Sequence, residues 1–93
     1  MECKNLNEVR ENIDRIDNEI IKLIAERGQY VEQAAKFKKS EDGVKDTARV
    51  EKVVAKAKEK AVLYGADPDI TETIYREMIS GFVNKELEKF KEQ

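Results

Sequence analysis

The chain has 93 residues, of which 41% are charged and 6% aromatic, with a net charge of −2, one Cys and no His. That profile indicates a single small all-α domain over residues 1–93, and the even mix of signs argues against nucleic acid as a partner. One cysteine without histidine excludes a disulfide framework and a metal quartet; no apolar run approaches a membrane span or a signal-peptide core, so a cytoplasmic protein is expected.

From Leu6 to Lys39 there is no Pro, and apolar residues recur at helical spacing: Leu6, Val9, Ile13, Ile16, Ile20, Leu23, then Tyr30, Ala34 and Phe37. The rhythm predicts one long helix with an apolar face. Asn5 or Asn7 is its expected N-cap, with Glu8 in the opening turn. Arg27 fills a slot between Leu23 and Tyr30 that should be apolar. Lys38 follows nearly three turns later on the same side, and Arg10 borders the stripe beside Val9 and Ile13. Cations along a face due for burial are costly unless an anion meets them.

Such a helix would be roughly 50 Å long, whereas a compact chain of this size is only about 30–35 Å across. Its apolar face needs a partner. Arg27 and Lys38, about 16 Å apart along the axis, are spaced to bracket one small molecule, while Arg10, roughly 25 Å from Arg27, reaches that molecule only from a second chain. An interlocked homodimer is expected.

Ser40-Glu41-Asp42-Gly43-Val44-Lys45 reads as a polar loop. Asp46 is the expected N-cap of a second helix, Thr47 to about Tyr64, whose apolar side is Val50, Val53, Val54, Ala57 and Ala61, and Gly65 ends it. Arg49 lies in its first turn, where a cation opposes the helix dipole unless it faces an anion. Asp67 and Pro68 open a third helix to about Lys89, with Ile70, Ile74, Met78, Ile79, Phe82, Val83, Leu87 and Phe90 as its stripe. Glu86 sits four residues from both Phe82 and Phe90, a carboxylate set into an apolar face.

Without His, nothing activates Ser40, Ser80 or Cys3 as a nucleophile, and no glycine-rich loop follows a strand. Arg10, Arg27, Lys38, Arg49 and Glu86 instead suit a small dicarboxylate, because Arg forks match carboxylates in pairs. On pattern alone, a purely structural helical dimer or adaptor stands beside that reading.

The run Val9-Arg10-Glu11-Asn12-Ile13-Asp14-Arg15-Ile16-Asp17, then Ile24-Ala25-Glu26-Arg27 and Lys36-Phe37-Lys38, with Asp46-x-x-Arg49 and a late polar residue, resembles the all-helical chorismate mutase family. The resemblance spans about Leu6 to Phe90. It implies three helices in an intertwined dimer that converts chorismate to prephenate, on the route to phenylalanine and tyrosine, without a cofactor. It also implies a substrate site built from Arg27, Lys38, Asp46, Arg49, Val50 and Glu86 of one chain and Arg10 of the other. Arg10 and Arg27 would hold the two carboxylates. Lys38 and Glu86 would donate to the breaking ether oxygen, Glu86 only when protonated; many members carry Gln there.

One position departs from the mutase pattern. A Glu that binds the ring hydroxyl usually follows the residue matching Arg49, and here Val50 stands in its place. An apolar residue there resembles a related branch, the isochorismate pyruvate lyases, as do Ile16-Asp17 and Tyr30-Val31 through Phe37-Lys38-Lys39-Ser40-Glu41. Asp46 and Glu86 speak against that branch. The expectation is therefore a mutase, with the lyase and a non-catalytic dimerisation module as alternatives.

Overall fold

A computed structural model describes residues 2–92. Among the described residues every regular element is helical: α1 (Leu6–Ala35), α2 (Glu41–Lys45), α3 (Thr47–Tyr64) and α4 (Pro68–Glu92). The three long helices are those the periodicity predicts, and α2 is a short addition. None is long and apolar enough to cross a membrane. The chain falls into two compact units, Met1–Gln33 and Ala34–Gln93.

The first unit is the body of α1. Its start is fixed reciprocally: Asn5 Oδ1 accepts from the Glu8 N–H at 2.9 Å, and the Glu8 carboxylate accepts from the Lys4 N–H at 2.6 Å. The helix contains 30 residues, none of them buried. Its stripe of Leu6, Val9, Ile13, Ile16, Ile20 and Leu23 remains exposed along its whole length. Helical order in α1 is therefore local, while its apolar face is uncovered within one chain.

The helix ends at Ala35 rather than continuing to Lys39. The Phe37 and Lys38 N–H groups donate to the carbonyls three residues back, Ala34 and Ala35, at 3.0 and 3.1 Å. The physical reason lies just ahead. Ser40 adopts extended backbone (φ −155°, ψ 165°) as the N-cap of α2, so helical geometry cannot run through it. The segment read as a polar loop is thus a five-residue helix, Glu41–Lys45, with acids in its first turn and Lys45 in its last, the arrangement a helix dipole favours.

In the second unit α3 and α4 pack together, and α2 packs on α4. Val54, Ala57 and Ala61 from α3, Ile79 from α4 and Val44 from α2 form its buried core. The α3–α4 turn obeys its local signals. Gly65 takes the left-handed conformation at φ 78°, and the Ala66 N–H returns to the Ala61 carbonyl at 2.7 Å. Asp67 Oδ1 then accepts from the N–H groups of Asp69 and Ile70, with Pro68 at the first helical position.

An exposed polar network laces α3 to α4. Arg76 places its fork on both Glu51 carboxylate oxygens, at 2.8 and 3.0 Å, and donates to Glu72 at 2.9 Å, while Lys58 pairs with Glu72 at 3.0 Å. The Arg76 hydrogen bonds hold both carboxyls below the usual carboxylate range, Lys58 assisting at Glu72. Each pair is open to water and contributes little alone; the bidentate fork mainly fixes how the two helices align.

Candidate active site

Five of the seven residues expected at the site lie in the second unit: Lys38, Asp46, Arg49, Val50 and Glu86. Arg10 and Arg27 lie on α1 in the first unit, Arg10 exposed and Arg27 half-buried.

Glu86 is the chemically unusual member. It is 8% exposed, the one buried charged side chain among the described residues, and its Oε2 is buried without a hydrogen-bond partner. Helical geometry puts it there: Phe82 and Phe90 stand one turn before and after it on α4, so the apolar stripe that docks the helix takes Glu86 in with it. Burial pushes its carboxyl above the ordinary range, and the positive charge of Lys38 pulls in the opposite direction. Desolvation is the larger influence, and its sign favours the neutral acid. A neutral carboxyl donates one hydrogen bond, which a carboxylate cannot do.

Lys38 is half-buried in the turn that follows α1, and its Nζ donates to the Gly43 carbonyl at 3.1 Å. An ammonium has three N–H donors, so this contact orients the group and leaves donors for an incoming oxygen. The Lys38 charge is thus felt at Glu86, which sets a cation and a weak acid within electrostatic range of one another. The pair is suited to an oxygen on which negative charge develops.

Asp46 and Arg49 meet through the backbone. Asp46 Oδ1 accepts from the Arg49 N–H at 3.1 Å, which caps α3 and satisfies one of its free donors. The Arg49 side chain is exposed in that first turn, and Val50 follows it half-buried. Val50 offers no hydrogen bond, so any substrate group beside it meets hydrocarbon. Among the described residues no cluster of His, Cys, Asp and Glu is arranged to hold a metal ion.

Two contributors escaped the sequence pattern. Ser40 Oγ accepts from the Gly43 N–H at 3.2 Å, and the Gly43 carbonyl then receives Lys38. A cap followed by two acids and a terminal Lys was the available signal for α2, compressed into too few residues to stand out. A backbone carbonyl as the Lys38 partner has no residue signature at all.

Residues 9–87 match the family model for chorismate mutase type II. The chain is also similar to an isochorismate pyruvate lyase from Pseudomonas aeruginosa, 28% identical over 91 residues that span 98% of this chain and 90% of that protein.

Proposed function

We propose that this chain, which belongs to the chorismate mutase type II family, rearranges chorismate to prephenate as a cytoplasmic homodimer in aromatic amino-acid biosynthesis. The observation that carries the reading is the buried Glu86 carboxyl, held toward its neutral form with an unpartnered oxygen and with Lys38 as its nearby cation. In the rearrangement the ether C–O bond breaks as a new C–C bond forms, and no proton changes hands. The protein therefore needs neither base nor nucleophile. It lowers the barrier by holding a compact conformer and by stabilising charge on the departing ether oxygen.

In this scheme Lys38 supplies a positive charge and a hydrogen bond to that oxygen, and neutral Glu86 supplies a second hydrogen bond. Arg27 and the partner subunit's Arg10 hold the two carboxylates, with Asp46, Arg49 and Val50 completing the site. The dimer is supported by α1, whose apolar stripe is uncovered in the single chain from Leu6 to Leu23, about 26 Å of helix. A second copy covers such a face and brings the partner's Arg10 within reach.

A second reading is favoured by Val50 and by the similarity to a protein named isochorismate pyruvate lyase. Elimination of pyruvate from isochorismate breaks the same kind of ether bond, with a ring hydrogen moving to the enolpyruvyl methylene carbon. Lys38 and Glu86 suit that departing oxygen equally well. Incubating the purified protein with chorismate and with isochorismate, at about pH 5, 7 and 8.5, separates the readings through the products. Prephenate from chorismate, formed fastest at the lowest pH, is the expected result. Salicylate and pyruvate at a much higher rate would assign the lyase, and no product from either would reject both.

A further inference from the structure

Lys38 has a long flexible stem and leaves the chain just after α1 has ended, so helical backbone does not fix its direction. Among the described residues its one hydrogen bond is to the Gly43 carbonyl. That carbonyl points where α2 points. With five residues, α2 is far too short to persist on its own propensity. Three ties hold it: Val44 is buried at 4% exposure, the helix packs on α4, and Ser40 Oγ accepts from the Gly43 N–H.

The third tie is the informative one, because Ser40 grips the same residue that receives Lys38. The Gly43 N–H goes to Ser40, and the Gly43 carbonyl takes the Lys38 ammonium. We propose that Ser40 is a positioning residue for Lys38, acting through the cap of α2 and the Gly43 carbonyl to aim the ammonium at the substrate oxygen. The inference rests on the reading of Lys38 as the cation that meets that oxygen. Ser40 itself touches no substrate in this scheme; its hydroxyl decides how often the Lys38 acceptor is in place.

Capping energies translate into a clear kinetic expectation. Without its cap, α2 is formed for a smaller fraction of the time, and turnover falls in proportion to that fraction. Ser40→Ala lowers kcat by about two- to fivefold and moves KM far less, whereas Ser40→Thr, which keeps a capping hydroxyl, stays close to the parent. Gly43 supplies a compensating change. A Cβ there meets only Ser40 Oγ at 3.7 Å and Lys38 side-chain carbons at 3.9 Å, ordinary contact distances. Gly43→Ala therefore fits, favours α2, and restores much of the kcat lost in Ser40→Ala.

The discriminating experiment combines a double-mutant cycle with a direct view of the ammonium. Kinetics are run on the substrate that the parent protein converts, with Ser40→Ala introduced alone and into Lys38→Met. In parallel, ¹⁵N NMR follows the Lys38 Nζ signal in the parent, Ser40→Ala and Ser40→Thr. The expected result is that Ser40→Ala costs nothing further once Lys38 is absent, and that it weakens the hydrogen-bonded ammonium signal which Ser40→Thr retains in full. An equal loss in both backgrounds, or an ammonium signal indifferent to Ser40→Ala, overturns the proposal. If the parent converts neither chorismate nor isochorismate, the functional reading fails, and the NMR comparison still decides whether Ser40 positions Lys38.

Discussion

Glu86→Leu yields a protein that is more stable at neutral pH and nearly inactive. In the parent, a Glu86 carboxyl oxygen is buried with no hydrogen-bond partner. An unsatisfied buried polar group costs about 1–3 kcal/mol, and a Leu of similar volume removes it. The sign of the pH dependence follows from the raised carboxyl pKa. Stability from neutral Glu86 is fully present below the ordinary carboxylate pKa and is lost as pH rises through the folded value, so the advantage of Leu grows with pH. Turnover moves the other way, since loss of one donor to a developing oxyanion costs about 10²–10³-fold in kcat. Thermal melts at acidic and alkaline pH, paired with kcat, read both effects. A destabilised variant that keeps its activity would remove Glu86 from the site.

Lys38→Met is the second large effect, a loss of about 10²–10³-fold in kcat with the helical circular dichroism intact. A subtler consequence separates it from nonspecific damage. Lys38 is the charge that holds the Glu86 pKa down against desolvation. With Lys38 gone, Glu86 stays protonated to higher pH, so the residual activity persists further into the alkaline range than in the parent. A limb that moves toward acid, or does not move, would mean that Lys38 and Glu86 do not act on one another.

Much of the fold was readable because its signals are local. The first N-cap, the Gly65 stop and the Asp67-Pro68 restart each depend on side chains within a few residues; the last two stand where the sequence puts them, and of the two expected caps, Asn5 and Asn7, it is Asn5 that accepts from the Glu8 N–H. Glu86 was conspicuous as a carboxylate at a helical stripe position, and burial at that position is what shifts it. The end of α1 was less visible. Lys36-Phe37-Lys38-Lys39 contains no Gly or Pro, and the helix stops there because Ser40 must be extended to cap α2. The Lys38 contact was unreadable for another reason, since its acceptor is a backbone carbonyl that every residue possesses.

Periodicity also identifies an apolar face without saying what covers it. Ile79 lies in the core, yet Ile70 and Ile74 on the same expected stripe are 61% and 56% exposed. The α1 stripe is the larger case, uncovered from Leu6 to Leu23. Residues placed by a second copy leave no contact within one chain. The proposed cross-subunit role of Arg10 therefore rests on helix length and family resemblance.

The central claim is that neutral Glu86 donates to the departing ether oxygen, and kcat/KM for chorismate against pH tests it most directly in the parent and in Glu86→Gln. A Gln amide donates whatever the pH. The predicted result is a parent profile that falls as pH rises through the Glu86 pKa, with a Gln profile that stays level. A parent profile flat from about pH 5 to 9, or one whose alkaline fall Glu86→Gln leaves unchanged, would contradict it.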